Sequence, residues 1–281
     1  SVYLVTLPPK GKLYFDDNGT RTEVTSEMLQ GGGSPRTFTV NELEYEVDPN
    51  TPHSFDLGEL QTNIPGSLDH WGVEVDGDTR VLTLSNGGTI TIQGHNVGGD
   101  SSLVMSTPDG NHIGGGLGIG DGQINSPGES IDLIINDATA KTSKMVLTVD
   151  GLGPNYIQKD INNPTDMDNN DARVQLHVYD TAGKLIDPSD LTVSVDGVDN
   201  LYLHTDGSYW ISNNESTADT LGREVTIELN NPHLEIGQIS LGLVGQGSYE
   251  IRNLSADYGV TDSFDYVPVD GDGNVGADIN D

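Results

Sequence analysis

The stretch that decides the fold class is VLTLSNGGTITIQ at residues 81–93. Two runs rich in aliphatic and β-branched residues, 81–85 and 89–93, flank the tripeptide Asn86-Gly87-Gly88. Asn-Gly between two such runs favours a tight hairpin, because both residues tolerate the positive φ that these turns require. The stretch therefore predicts two antiparallel strands joined by a short turn.

The same kind of pattern recurs along the chain. Residues 173–179, RVQLHVY, alternate polar and apolar side chains, which is typical of a strand with one face in a core. Further β-rich runs, separated by turn residues, lie at 131–135, 145–149, 191–195, 201–204, 209–212, 225–229, 239–244 and 249–254. Short strands at such spacing predict an all-β fold organised as a β-sandwich. One or two helical turns are expected at 24–30.

The charge of the chain is extreme, with 12 Lys and Arg against 44 Asp and Glu and a net charge of −32. Nucleic acid and anionic membranes are poor partners, because a polyanion repels such a surface, and we expect neither nucleic-acid binding nor membrane insertion. Self-repulsion of this size also opposes a compact state unless cations or salt relieve it. Bound cations and a salty environment both indicate an extracellular location, where millimolar calcium fills weak carboxylate sites. We therefore expect several bound Ca²⁺ ions.

Other kinds of stabilisation and chemistry find little support in the sequence. The chain has no cysteine, so neither disulfides nor thiolate zinc sites can hold it together. No run approaches the ~18 apolar residues of a membrane-spanning helix. There is neither a Gly-x-Ser-x-Gly elbow nor a phosphate-binding loop, and the histidines lack zinc spacing. We predict that the chain is not an enzyme, although paired carboxylates for glycoside hydrolysis stay open.

Three segments carry the oxygen-rich side chains that calcium prefers. Within residues 160–171, Asp166, Asp168 and Asn170 stand two residues apart, without the central Gly and distal Glu of an EF-hand. A solvated acidic loop is the alternative there. Near the C-terminal end the second segment contains the candidate ligands Asp270, Asp272 and Asn274. A type I turn would equally favour that composition.

The third segment surrounds a run of glycines. Its candidate calcium ligands are Asp109, Asn111, Asp121, Gln123, Asn125 and Glu129. Its candidate ligand-binding residues are Gly114, Gly115, Gly116, Gly118 and Asp121. Glycine lets the backbone approach a ligand closely, and a calcium ion with an open coordination position would capture a carboxylate or vicinal hydroxyls. The alternative is a glycine-rich connection with one structural calcium.

Two smaller features also bear on binding. Residues 76–78, Asp-Gly-Asp, predict a turn before the strand at 81, with a metal as an additional option. Trp71, Tyr156, Tyr209 and Trp210 are candidates for a binding surface. A core position is the more common role for an aromatic residue of this kind.

The two ends of the chain carry a resemblance. Residues 7–14 (LPPKGKLY), 37–39 (TFT) and 43–50 (LEYEVDPN) precede a long interruption, after which 262–266 (DSFDY) and 270–274 (DGDGN) follow. This order resembles the cadherin-like and immunoglobulin-like repeats of giant bacterial adhesins, where these motifs follow each other closely. The resemblance implies a split immunoglobulin-like domain at 1–52 and 262–281, with a β-sandwich ligand-binding domain inserted at 53–261. Tandem domains are the alternative.

The interrupting segment carries a second resemblance. Residues 114–125 (GGGLGIGDGQIN), 128–133 (GESIDL) and 245–252 (GQGSYEIR) are similar to the peptide-binding domain of calcium-dependent RTX adhesins. This implies a monomeric cell-adhesion module on the bacterial surface, type I secreted and active in biofilms. It implies binding to the C-terminal carboxylates of peptides or proteins on a host or neighbouring cell. A calcium-dependent lectin that binds glycans and a structural extender are the rivals. The start at Ser1 is expected of a piece cut from a longer protein.

Overall fold

The structure is a computed structural model. It describes residues 1–48, 54–57, 68–84, 87–106, 115–136, 142–151, 174–196, 201–211, 222–244, 248–258 and 262–269. The chain is nearly all β, in several sheets, which confirms the predicted all-β class. In place of the helical turns expected at 24–30 there is a short 3₁₀ helix, Ser26–Met28. Within the described ranges, no helix has the length and hydropathy needed to cross a bilayer.

The chain divides into two compact units. One contains Ser1–Pro52 together with Val260–Asp281, and the other is His53–Gly259. The smaller unit has two three-stranded antiparallel sheets, ordered β21-β1-β4 and β3-β2-β5. Its strands are β1 (Val2–Leu4), β2 (Gly11–Asp17), β3 (Thr20–Glu23), β4 (Thr37–Phe38), β5 (Glu44–Val47) and β21 (Tyr266–Pro268).

Segments from both ends of the sequence build the smaller unit. Strand β1 pairs with β21, and Phe264 packs against a core that includes Phe15 and Phe38, whose rings meet edge-to-face at 5.3 Å. The Oδ2 atom of Asp262 accepts hydrogen bonds from the Tyr45 hydroxyl at 2.9 Å and from the backbone N–H of residue 10 at 2.7 Å. Burial, aided by this bond to Asp262, raises the pKa of Tyr45 to about 12.

The larger unit has a seven-stranded and an eight-stranded antiparallel sheet. The first is ordered β10-β11-β20-β13-β18-β15, with β6 also paired to β20. Its strands are β6 (Ser54–Asp56), β10 (Leu103–Met105), β11 (Leu117–Ile119), β13 (Thr142–Asp150), β15 (Leu191–Val195), β18 (Arg223–Leu229) and β20 (Glu250–Tyr258). The second is ordered β16-β17-β14-β19-β12-β9-β8-β7. Its strands are β7 (Val73–Asp76), β8 (Thr79–Thr83), β9 (Thr89–Asn96), β12 (Glu129–Asn136), β14 (Val174–Asp180), β16 (Leu201–Leu203), β17 (Tyr209–Ile211) and β19 (Ile236–Leu243).

Period-two alternation directs the inner faces of both sheets into one core. In β14, Val174, Leu176 and Val178 are buried while the residues between them are half-buried. The buried residues of the two sheets form a single cluster, as expected of a β-sandwich. Strands β8 and β9 pair antiparallel, which confirms the hairpin predicted from residues 81–93.

Candidate functional site

The glycine-rich segment enters the seven-stranded sheet as β11, between β10 and β20. Leu117 and Ile119 are fully buried and fix the strand against the core. Between them, a Cβ added to Gly118 would lie 2.2 Å from the backbone nitrogen of Gln123. Glycine is required at this position, because the chain folds back so closely that no side chain fits.

The fold-back is a tight turn with Asp121 at its tip, and we call residues 115–129 the glycine turn. Gly120 and Gly122 have φ values of 61° and 92°, in the left-handed region that favours glycine. The exposed Asp121 accepts a hydrogen bond from the Gln123 N–H at 3.2 Å and one from the Asn125 side-chain amide at 2.7 Å. The turn thus brings three of the predicted calcium ligands together.

Glu129 holds the end of the glycine turn. Its buried carboxylate accepts the backbone N–H groups of Asn125 at 2.7 Å and Ser126 at 3.1 Å through Oε2. The side-chain amide of Asn96 donates to Oε1 at 3.2 Å. Three donors on one carboxylate make this residue an internal cap that fixes the loop.

Tyr249 supports the turn from below. Its backbone exchanges hydrogen bonds with Ile124, of 2.8 and 3.1 Å, and its hydroxyl donates to the carbonyl of Gly242 at 2.7 Å. The ring is buried, and burial, with the Glu129 charge second, raises its pKa well above the usual value. The turn is therefore connected through Tyr249 to the eight-stranded sheet.

Two buried carboxylates lie at the start of β11 and were missed by the sequence analysis. A Cβ added to Gly116 would lie 2.5 Å from Cγ and 2.7 Å from Cδ of Glu250. Glu250 is the cross-strand neighbour of Asp150, and each is 1% exposed. An Arg252 guanidinium nitrogen lies 3.3 Å from Asp150 Oδ2. The glycine run therefore rests directly on the side chain of a buried acid.

The side chains on the described part of this site suit calcium in type, since they offer carboxylate and amide oxygens. Within the described ranges, however, no three His, Asp or Glu side chains come close enough together to hold a metal ion. A calcium site here needs further oxygens, from the backbone or from residues beyond those ranges. The candidates outside the described residues are Asp109, Asn111, Gly114, Asp166, Asp168, Asn170, Asp270, Asp272 and Asn274.

The aromatic candidates divide by burial. Trp71 and Tyr209 are buried in the core, and Tyr156 lies outside the described residues. Trp210 is half-buried on the outer face of the eight-stranded sheet, where its ring stacks on His204 with centroids 4.2 Å apart. Tyr202 meets the Trp210 ring edge-on at 6.1 Å.

A hydrogen-bond network holds this aromatic group. The Trp210 indole N–H donates to the Ser208 hydroxyl at 3.0 Å, and that hydroxyl donates to Asp206 at 2.6 Å. Nδ1 of His204 lies 3.0 Å from the same carboxylate. Burial opposes ionisation of Asp206, but the hydrogen bonds from Ser208 and His204 outweigh it and lower its pKa to about 2.

The predicted turn at 76–78 joins β7 and β8. Asp78 accepts a hydrogen bond from the Thr79 hydroxyl at 2.9 Å. Hydrogen bonding with Asp76 first, and with Thr79 second, lowers the pKa of Asp78.

Comparison with known proteins adds no assignment: no family model, no curated protein and no solved structure matches this chain.

Proposed function

We propose that this chain is a calcium-dependent cell-adhesion module of a large bacterial surface adhesin. In this proposal it is exported by a type I route and binds C-terminal carboxylates of peptides or proteins on a host or neighbouring cell. The observation that supports it best is the exposed Asp121 at the tip of the glycine turn, where it meets the backbone of Gln123 and the side chain of Asn125.

The proposed site combines a metal with the glycine-rich segment beside it. Asp121, Gln123 and Asn125, with Asp109 and Asn111, would hold a calcium ion through their oxygens. The ion would supply the positive charge that attracts a carboxylate to a protein of net charge −32. Gly114 and Gly115 would let the ligand approach the ion, whereas Gly116 and Gly118 are buried within the sheet, where the Gly116 N–H donates to the Ser106 hydroxyl at 2.9 Å.

We further propose that the larger unit is inserted in a split immunoglobulin-like domain. The pairing of β1 with β21 and the bond from Tyr45 to Asp262 support this, because they tie the first and last segments into one unit. An insertion of this length costs little loop entropy when its two ends lie close together.

Calorimetric titration tests the proposed ligand. Peptides with free C-termini are titrated into the protein in millimolar calcium. For each peptide that binds, the titration is repeated with an amidated C-terminus and, separately, in the presence of EGTA. We expect amidation and chelation each to abolish binding. Binding that survives both would overturn carboxylate capture by calcium.

Matched variants place the site on the turn. Asp121→Asn and Glu250→Gln are expected to weaken peptide binding at least ~10-fold, equal to ~1.4 kcal/mol. Asp257→Asn and Glu224→Gln, at exposed positions on β20 and β18, serve as charge-matched controls. Sugar binding that Asp121→Asn removes would instead support a calcium-dependent lectin. An absence of any ligand would support a structural extender.

A further inference from the structure

We propose that the outer face of the eight-stranded sheet is a second, metal-independent binding site, and that its ligand is a neutral oligosaccharide. One cross-strand row carries the argument, running through β16, β17, β14, β19, β12 and β9. Its members are Tyr202, Trp210, Gln175, Gly242, Ser130 and His95.

The row has a gap at Gly242, where there is no side chain. The fold itself does not require glycine at this position. A Cβ added there would meet its nearest atom at 3.8 Å, in ordinary van der Waals contact, and its φ is not left-handed. At Gly94 and Gly237 of the same sheet an added Cβ would lie 2.4 Å from a backbone oxygen. Glycine weakens a strand interior and often marks close approach of a ligand. The gap at Gly242 is therefore available to a ligand.

Gly242 and Ser240, the next outward residue on β19, form the bottom of a shallow groove, which we call the floor. Ser240 is paired with His177 of β14 on one side and with Asp132 of β12 on the other. The His177 ring stacks on Tyr179, with centroids 6.0 Å apart. Small residues in the middle and larger ones on the flanking strands leave room for a chain-like ligand along β19.

One side of this floor ends in a rigid aromatic platform. Trp210 is fixed by its stack on His204 and by its hydrogen bond to the buried Ser208 hydroxyl. The weakly positive C–H groups on one side of a sugar ring pack on the negative face of such a ring. Because the platform is held in place before binding, little side-chain entropy is lost on ligand contact.

Most polar groups of the face are neutral hydrogen-bonding groups. Asp206 borders this face, where its Oδ2 accepts from Gln175 Nε2 at 3.4 Å. Across the outward residues of β14 from Gln175 to Tyr179 and their partners on β19, β12 and β9, Asp132 is the single acid. It lies 3.1 Å from Nε2 of His95. Amide, hydroxyl and imidazole groups match sugar hydroxyls, whereas a basic peptide would call for the acids that abound elsewhere in this chain. Because acids are limited to Asp132 within the face and Asp206 at its edge, the predominance of neutral groups favours an uncharged oligosaccharide.

Intrinsic fluorescence offers a direct test, since the chain has two tryptophans and Trp71 is fully buried. The protein, in calcium, is titrated with cellohexaose, laminarihexaose, maltohexaose and mannohexaose. We expect at least one of them to change the Trp210 emission with saturation. Failure of all four at millimolar concentration overturns the proposal.

Two variants locate the binding. Gly242→Val fills the gap and is expected to weaken sugar binding at least ~10-fold with an unchanged or raised unfolding temperature. Trp210→Ala removes the platform and is expected to weaken sugar binding at least ~10-fold. Its binding is measured by calorimetry below its own unfolding transition, because the variant lacks the Trp210 emission. Thr226→Val, on the other sheet, is the control. Sugar binding that survives both Gly242→Val and Trp210→Ala contradicts the site.

The proposal of a peptide site and the proposal of a sugar site on this face can be disproved independently. Asp121→Asn is expected to leave sugar binding unchanged, because Asp121 lies on the glycine turn. If Asp121→Asn removes sugar binding while Gly242→Val leaves it intact, the sugar is bound through the turn and this proposal is wrong. Loss of peptide binding alone has no bearing on it.

Discussion

The glycine turn and the outer face around Gly242 use the same residue type for different reasons. At Gly118 an added Cβ would lie 2.2 Å from a backbone atom, whereas at Gly242 the nearest atom is 3.8 Å away. The first glycine is dictated by the path of the chain. The second is not, so its lack of a side chain is open to selection for function. Space around a glycine, and not its presence in the sequence, distinguishes the two roles.

The two regions also differ in charge while sharing a support. The turn carries Asp121 and Glu129 and rests on the buried Glu250, whereas most polar groups of the outer face are neutral, with Asp132 on it and Asp206 at its edge. Tyr249 contacts both, through its backbone bonds to Ile124 and its hydroxyl bond to Gly242. A structural change in one region would therefore be transmitted to the other through Tyr249. For this reason stability and binding are measured separately for each variant.

Chelation should give the largest difference between the two regions. If calcium occupies the turn, a site filled at 1,000 times its Kd contributes ~4 kcal/mol of stability, which EGTA removes. Calorimetric unfolding with and without EGTA measures this. Below the unfolding transition, the Trp210 emission is expected to stay unchanged. An unfolding temperature that ignores EGTA would contradict the calcium proposal.

Gly118→Ala tests how strictly the turn needs glycine. The added methyl group would overlap the backbone at Gln123, and we expect a destabilisation of about 3 kcal/mol in urea unfolding. A loss below ~1 kcal/mol would mean that the turn relaxes without cost, and the contrast with Gly242 would disappear.

Glu129→Gln tests the internal cap of the turn. The variant replaces a charged acceptor by an amide, whose oxygen can still accept from Asn125 and Ser126 but whose NH₂ group would then face the side-chain amide donor of Asn96. A loss of about 2 kcal/mol is expected in urea unfolding. Glu224→Gln, at an exposed position, is expected to change stability by less than ~0.5 kcal/mol. Equal effects of the two variants would refute the cap.

Gly242→Ala is the counterpart of Gly118→Ala on the open face. The methyl group fits and the backbone conformation is ordinary, so stability should stay within ~0.5 kcal/mol or rise by up to ~1 kcal/mol. The gain would come from reduced freedom of the unfolded chain. A marked loss in the same urea assay would show that the outer face is not open at this position.

Acid titration gives the smallest expected effect. Asp206 has a folded pKa of about 2, below the ordinary value of 3.8 for Asp. Its ionised form therefore stabilises the fold above pH ~4, and this contribution is lost as the pH falls from ~4 towards 2. Asp206→Asn should flatten that part of the stability curve and loosen the Trp210 platform. An identical acid-unfolding curve for the variant would contradict the role of Asp206.

Local patterns in the sequence predicted the strands well, and side-chain roles less well. The hairpin at 81–93 and the alternation in 173–179 were read correctly, because turn chemistry and period two are local properties. The burial of Asp150 and Glu250 was not predicted. Each follows or precedes an inward-facing residue of its strand, so an alternating pattern predicts that its side chain faces outward. A register shift opposite Thr148 and Val149, where Asn253 is followed in the pairing by Ile251, breaks the alternation of β20 near Glu250.

Metal ligation could not be read from spacing alone. The glycine turn brings Asp121, Gln123 and Asn125 together as expected, but Glu129 is committed to hydrogen bonds within the loop. Its role as a calcium ligand stays a prediction, as do those of the other candidates. Oxygen-rich composition indicates which residue types suit calcium, whereas distances between loops decide which of them meet.

By itself the sequence determined that this chain is all-β and highly acidic and that glycine turns connect its strands, because composition, alternation and turn propensity act over a few residues. Tertiary structure alone decided which neighbour of the pair Tyr209 and Trp210 enters the core. It also placed Glu250 beneath Gly116 and left Gly242 open. These outcomes depend on the register between strands far apart in the chain, and no local pattern encodes that register.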